Sequence, residues 1–67
     1  MAYQILELTQ ATLSHPRMYL GTTVRFEGER FQVINFILGG LSNGITHVEL
    51  AGVGKQFIVP VDHLPYE

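Results

Sequence analysis

The chain has 67 residues, of which 46% are apolar and 15% are charged, and its formal net charge is −2. This composition indicates one folded domain, since a disordered chain would need low hydrophobicity and high net charge. The charge gives no long-range attraction to phosphate polyanions, and the lack of cysteine excludes disulfides and thiolate metal sites.

The first predicted element is residues 3–8, for which two interpretations stay open. As a strand, the segment has Leu6 and Leu8 on one face and Tyr3 and Ile5 on the other, which suits burial on both sides. As a helix that continues through Leu13, it has Ile5, Leu8 and Thr12 on one stripe. We favour the strand, because no Ser, Thr, Asp or Asn precedes Tyr3 to cap a helix.

The N-terminal residues also bear on location. They contain no basic region before an apolar stretch and reach Glu7 early, and no part of the chain approaches the roughly 20 consecutive apolar residues of a membrane span. We therefore expect no secretory signal, no membrane insertion and a cytoplasmic location.

Residues 23–38 carry the strongest pattern, two alternating stretches on either side of Gly28-Glu29. If these two residues form the hairpin loop, Phe26 lies opposite Phe31, and one face of the hairpin is apolar while the other is polar. Glycine at the first loop position suits a type II′ turn, which needs positive φ there. The sequence therefore predicts a hairpin whose apolar face belongs to the core.

The second strand of this hairpin loses its alternation at Val33-Ile34, and Asn35 takes a position where the inner face expects an apolar side chain. A bulge near Ile34 would explain this irregularity. It would also turn the second half of the strand, with Phe36 and Leu38, toward another sheet.

A glycine-rich loop follows, and the sequence leaves its register open. Asn43-Gly44 is a strong signal for a two-residue type I′ turn. Gly39-Gly40 is then either a bulge in the strand or part of a wider loop.

A second hairpin is predicted with Val53-Gly54 as its turn, which places Leu50 opposite Phe57. Pro60 lacks an amide donor, so this end of the strand should lie at an edge or leave the sheet. The expected outer face of the hairpin is half apolar and comprises Ile45, His47, Glu49, Ile58 and Pro60.

Asp62 should cap a short helical turn over residues 62–65. The order of hairpin, strand, hairpin, helical turn and terminal segment over residues 22–67 resembles an SH3-like barrel, without a family-specific motif and without the Trp of the peptide-binding type. The resemblance implies a mainly β fold, a small antiparallel barrel with a short helical turn near the C-terminus, in a single domain of residues 1–67. Such folds carry many unrelated functions. The expected core is Val24, Phe26, Phe31, Val33, Val48, Leu50, Phe57 and Val59.

No constellation for chemistry stands out. His15, His47 and His63 are far apart in the sequence, without the short spacings that preset a metal site. Ser14 has a neighbouring histidine, yet no nucleophile elbow accompanies it. We expect no metal, no cofactor and no enzymatic activity.

What remains is a surplus of large apolar side chains for so thin a core. One interpretation is that the N-terminal segment covers Ile45 and Ile58. The other is a contact patch for another protein, which makes the chain a small interaction module, an accessory subunit or a regulator of a larger complex. The expected interface residues are Met18, Tyr19, Leu41, Ile45 and Ile58.

Two alternatives complete the sequence-based hypotheses. Small barrels bind single-stranded nucleic acid through a basic groove with aromatic side chains, and here the candidates would be Arg17, Tyr19, Arg25 and Lys55. Arg30 is a further basic residue for this site, although Glu27 and Glu29 interrupt its pair with Arg25. Self-assembly into a homo-oligomer would use the sheet edge near Pro60 and the C-terminal segment.

Overall fold

The computed structural model describes residues 5–40 and 44–66. The fold is mainly β, and its single sheet has five strands in the order β1-β2-β3-β4-β5. The first pair of strands is parallel and the other three pairs are antiparallel, so the sheet is mixed rather than wholly antiparallel. The strands are β1 (Leu6–Glu7), β2 (Thr23–Phe26), β3 (Glu29–Gly39), β4 (Gly44–Gly52) and β5 (Lys55–Pro60).

The sheet is open, with β1 and β5 as its two edges in the described part of the chain. The SH3-like barrel expected from the sequence is therefore not confirmed. The segments that follow β1 and β5 are joined, because the Gln10 amide donates to the carbonyl of Pro65 at 2.9 Å and the Gln10 side chain donates to the carbonyl of Leu64 at 2.9 Å. These bonds hold the first and last described segments together beyond the strands.

The strand interpretation of the N-terminal segment is confirmed at Leu6–Glu7, which pairs in parallel with β2. The Leu8 amide then donates to the carbonyl of Arg25 at 2.9 Å. A 3-10 helix follows at Thr12–Ser14, before the chain turns toward β2. Tyr3 lies outside the described residues.

The first hairpin forms, but its turn is Glu27-Gly28 rather than Gly28-Glu29, and Phe31 lies opposite Val24 rather than opposite Phe26. Both turn residues have positive φ, 53° at Glu27 and 81° at Gly28, which is the conformation of a type I′ turn and not of the expected type II′ turn. The register differs from the expected one by two residues. A shift of two keeps every side chain on its predicted face.

The predicted bulge at Ile34 is confirmed by a register shift between Val33 and Asn35, which leaves Ile34 as the extra residue of β3. The second half of β3 does not face another sheet, however. Phe36 packs against the same core as Val33, since the bulge returns the apolar positions to the inner face.

A second register shift lies between Ile37 and Leu38, where Thr46 is the extra residue of β4. It turns Ile45 to the inner face, where this side chain packs against the core. The prediction that Ile45 lies on the outer face is therefore wrong. It assumed strict alternation through β4, and the register shift interrupts that alternation.

The strands on either side of the glycine-rich stretch pair as far as Gly39 and Gly44, so Gly44 is a residue of β4. Leu41 and Asn43 are outside the described residues.

The second hairpin is confirmed, with Leu50 opposite Phe57 and a turn at Val53-Gly54. The short helical turn near the C-terminus is also confirmed, as a 3-10 helix at Val61–His63. Pro60 occupies its N-cap position and no side chain caps it, so the predicted capping role of Asp62 is wrong.

Six of the eight predicted core residues are buried, and the other two, Phe26 and Phe57, are partly buried and pack against them. Phe31 joins this pair, with its ring centroid 5.2 Å from that of Phe57 and 6.4 Å from that of Phe26. Leu8 and Leu64 are also buried, and neither belongs to the expected core set, although the strand interpretation of residues 3–8 suits the burial of Leu8. The buried core consists of Leu8, Val24, Phe31, Val33, Val48, Leu50, Val59 and Leu64.

Candidate functional site

The free edge of β5 is the first candidate site. Gly52 and Lys55 close the hairpin across a two-residue turn, so their pair exchanges both backbone hydrogen bonds. Such pairs alternate along an antiparallel ladder, which makes Phe57 and Val59 the next β5 residues bonded to β4. The N–H and C=O groups of Gln56 and Ile58 therefore point away from the sheet.

These four backbone groups have no backbone partner within residues 5–40 and 44–66. The side chains of Gln56 and Ile58 lie on the outer face, since Phe57 and Val59 face the core. Ile58 is 50% exposed. It lies opposite Glu49, whose carboxylate accepts a hydrogen bond from the side-chain amide of Gln56 (Nε2) at 2.8 Å. The edge thus combines backbone donors and acceptors with one large apolar side chain.

Both ends of this edge are protected. Lys55, at the first position of β5, pairs with Glu29 at 3.0 Å. Pro60, at the last position, has no N–H to offer. A charged residue and a proline are typical devices against uncontrolled strand addition. Between these two ends, the middle of β5 is open to another strand.

The structure does not bring the predicted interface residues together. Met18 and Ile45 pack against the core, whereas Tyr19 is 64% exposed and Ile58 is 50% exposed. Tyr19 lies just before β2, and three strand spacings of about 4.8 Å separate β2 from β5. Leu41 is outside the described residues.

The described part of the N-terminal segment, residues 5–8, does not cover Ile58. Leu6 and Leu8 pack on the inner face, with the core, because β1 adds to the edge of β2 instead of crossing the sheet. The competing interpretation, that this segment covers both Ile45 and Ile58, is therefore wrong for Ile58.

The predicted nucleic-acid residues are also divided. Arg17 and Tyr19 line one groove beside β1 and β2. Arg25 is outside that lining and pairs with Glu7 at 2.8 Å. Lys55 lies at the opposite end of the sheet order and pairs with Glu29. These four residues form no continuous basic track.

The groove beside β1 and β2 is the second candidate site, with a volume of about 630 Å³. It adds Arg30 and Gln32, on the outer face of β3, to Arg17 and Tyr19. The sequence analysis named Arg30 among the basic residues of the nucleic-acid alternative, but the expected hairpin register placed it opposite Glu27. The observed register places it opposite Arg25, and Arg30 lines the groove together with Arg17.

The histidines do not converge. The His15 ring accepts a hydrogen bond from the Arg17 amide at 3.1 Å, and the His47 ring lies 3.0 Å from the Thr46 hydroxyl. In the part of the chain that the structure describes, no group of three or more His, Cys, Asp or Glu side chains could hold a metal ion. That part also contains no helix with the length and apolar character needed to cross a membrane.

Comparison of the chain with protein-family models, with curated proteins and with solved structures gives no match.

Proposed function

We propose that this chain is a non-enzymatic protein-interaction module, an accessory subunit or regulator that works in the cytoplasm. The β5 edge binds an extended segment of a partner protein, and this segment adds to the sheet as a sixth strand. The observation that carries the proposal is the open middle of β5, where Gln56 and Ile58 present two N–H and two C=O groups outward. Main-chain hydrogen bonds of this kind supply affinity in strand addition.

Side chains would supply the specificity. Ile58 and Gln56 lie on one face of the new strand pair, and the partner's alternate side chains would contact them. An apolar partner residue beside Ile58 would remove a half-exposed side chain from water, which is favourable in proportion to the area buried. Lys55 and Pro60 protect the two ends of β5, so the partner can add only a short segment between them, in a fixed position.

The proposal includes an SH3-like arrangement of the strands. Its support is the order of hairpin, bulged strand, hairpin and 3-10 helix, together with the hydrogen bonds from Gln10 to Leu64 and Pro65. These bonds lie where the first and last segments of a barrel would approach each other. The function proposed for β5 does not depend on closure.

The test begins with affinity capture of a partner from the native host, followed by hydrogen exchange of the purified complex. Binding through β5 should slow the exchange of the backbone amides of Gln56 and Ile58, which have no backbone partner among the described residues. The same amides should exchange unchanged if the partner binds elsewhere, and that result would contradict the proposal.

Ile58→Pro and Ile58→Asp are the decisive variants. Proline removes only an outward N–H, so the ladder to β4 keeps its bonds and the domain should stay folded. Binding should weaken by at least about tenfold in both variants, since one loses a main-chain bond and the other places a charge at the contact. Tyr19→Ala is the matched control on the same face and should leave binding unchanged.

The oligomeric state shows whether a second copy of this chain, rather than a different protein, binds along β5. Sedimentation at several concentrations should give a monomer for the isolated chain. A stable dimer that Ile58→Asp dissociates would show that a second copy occupies β5, and the partner-protein proposal would then fail.

A further inference from the structure

The groove beside β1 and β2 is a positively charged site on the same face as Ile58 but near the opposite edge of the sheet. Nine residues line it, and among these described residues are two arginines and no carboxylate. Its volume of about 630 Å³ falls in the range of sites for small molecules. The side chains that matter for recognition are Arg17, Tyr19, Thr23, Arg30 and Gln32.

Arg30 carries a charge that its surroundings leave uncompensated. It lies directly opposite Arg25 on the outer face, and like charges in such a pair repel each other. Glu7 neutralises Arg25 through an ion pair of 2.8 Å. No carboxylate makes an ion pair with Arg30 within residues 5–40 and 44–66. An anion in the groove would supply the missing negative charge.

The wall of the groove is held in place by the connector that precedes β2. The Gly21 amide donates to the carbonyl of Val33 at 2.7 Å, and the Val33 amide donates to the carbonyl of Thr22 at 2.9 Å. The Thr22 hydroxyl accepts from the Tyr19 amide at 3.1 Å and donates to the carbonyl of Arg17 at 3.2 Å. This network fixes the backbone that presents Arg17 and Tyr19, so a ligand would meet a preorganised site.

Two further groups extend the recognition surface. Gln32 and Thr23 lie opposite each other on β3 and β2 and line the groove with side chains that can donate hydrogen bonds. Tyr19 is 64% exposed and offers the face of an aromatic ring. Thr23, Arg30 and Gln32 also line a second hollow of about 410 Å³ that continues over β4. Arg30 therefore lines both depressions.

We propose that this groove binds a small anion that carries a planar ring, with its phosphate or carboxylate group at Arg30 and Arg17 and its ring against Tyr19. A guanidinium fits the two oxygens of either anionic group, and the charge assists the hydrogen bonds. Aromatic rings gain further from offset or edge contacts with tyrosine. The proposal is independent of strand addition at β5, because the two sites share no residue.

The test is calorimetry and amide NMR on the full chain with two ring-bearing anions, adenosine 5′-monophosphate and 2-naphthoate. We expect a Kd below about 1 mM for at least one of them, and the preferred probe identifies the anionic group. Inorganic phosphate alone and adenosine alone should bind at least about tenfold more weakly, since phosphate lacks the ring and adenosine lacks the anionic group. The amide shifts should centre on Thr22, Thr23 and Gln32.

Arg30→Gln should weaken binding by about tenfold or more, because it removes the charge that meets the anion. Arg25→Gln is the matched control, since it changes the same charge on the same face outside the groove lining, and it should change Kd by less than about threefold. Tyr19→Ala is a second variant at an exposed position. It should weaken the binding of the ring-bearing anion and leave the weak binding of inorganic phosphate unchanged.

Three results would overturn the proposal. One is no binding of either probe up to about 5 mM. Another is an equal loss of affinity in Arg30→Gln and Arg25→Gln, which would indicate a non-specific attraction to positive charge rather than a site at Arg30. The third is binding of a labelled single-stranded oligonucleotide under conditions where neither small probe binds.

Discussion

Arg25 and Arg30 lie directly opposite each other on β2 and β3, so two positive charges face each other across a pair of strands. Their pair is next to the hydrogen-bonded pair of Phe26 and Glu29, so it belongs to the closer, non-hydrogen-bonded kind. Glu7 on β1 pairs with Arg25 at 2.8 Å, and no ion pair between Glu7 and Arg30 is present among the described residues. The three-strand row of Glu7, Arg25 and Arg30 therefore keeps one net positive charge on the outer face.

Relief of this repulsion should make Arg30→Gln slightly more stable than the parent chain. We expect a gain of up to about 0.5 kcal/mol at low ionic strength, because both side chains are on the surface and solvent screens them. The gain should disappear at about 1 M salt, where the Debye length is about 3 Å. Urea denaturation at two salt concentrations measures it. A loss of stability at both concentrations would contradict the assigned repulsion.

Glu27 occupies a left-handed conformation that its side chain disfavours, with φ of 53°. Glu27→Asn should stabilise the hairpin by about 0.5–1 kcal/mol, because Asn-Gly is the preferred sequence of a type I′ turn. Glu27→Gln keeps the side-chain length and removes the charge, and it should give no comparable gain. Thermal unfolding of the three proteins compares them. Equal gains in both variants would assign the effect to charge rather than to the backbone.

Phe31 supports the core through its contacts with Phe26 and Phe57, and it is only 5% exposed. Phe31→Ala should cost about 3 kcal/mol or more, which is a large part of the stability of a small domain. Tyr66→Ala removes an aromatic side chain that is 76% exposed and should change stability by less than about 0.5 kcal/mol. Chemical denaturation gives both values. A loss under about 1 kcal/mol in Phe31→Ala would remove Phe31 from the core.

Gly52 is the place where Phe31 packs against the backbone of β4. A Cβ atom at Gly52 would lie 2.7 Å from the Phe31 ring, which is too close for both to stay in place. Gly52→Ala should therefore cost about 1–3 kcal/mol. Gly39→Ala is the matched control in a strand, because its Cβ would meet Thr46 at an ordinary 3.6 Å. A cost in Gly39→Ala equal to that in Gly52→Ala would show that strand glycines, not this contact, set the effect.

Leu8 closes the core from the N-terminal segment and is 2% exposed. Leu8→Ala should cost about 2–4 kcal/mol, since it leaves a cavity beneath β1. Leu20→Ala, at a position 54% exposed in the connector, should change stability by less than about 0.5 kcal/mol. Guanidinium denaturation of both variants is the measurement. Similar small effects would show that the segment before β2 adds little to the fold.

Much of the sheet could be predicted because its local patterns are strong. The first hairpin keeps its apolar face although the turn is different, since a register shift of two residues leaves the faces unchanged. The bulge at Ile34 was visible as a break in alternation before Asn35. The turn at Val53-Gly54 needs only a flexible glycine, and Gly54 has φ of 72°.

The remainder depends on contacts between distant segments. A strand of two residues such as Leu6–Glu7 has no periodicity of its own, and its parallel partner cannot be read from spacing. Leu64 is buried although it follows a 3-10 helix in a segment without a pattern. The charged groove could not be predicted because it joins Arg17 and Tyr19 of the connector to Arg30 on β3, and sequence spacing does not show this contact. Its walls exist only once the connector folds over β1 to β3.

The two bulges lie on neighbouring strands and cancel each other, because Ile34 adds one residue to β3 and Thr46 adds one to β4. Deletion of either residue alone would turn all side chains beyond it to the wrong face of its strand. Deletion of both would restore an uninterrupted ladder, at the expense of moving Phe36 and its neighbours relative to the core. Changes in the length of this domain should therefore be tolerated in pairs across β3 and β4, and rejected singly.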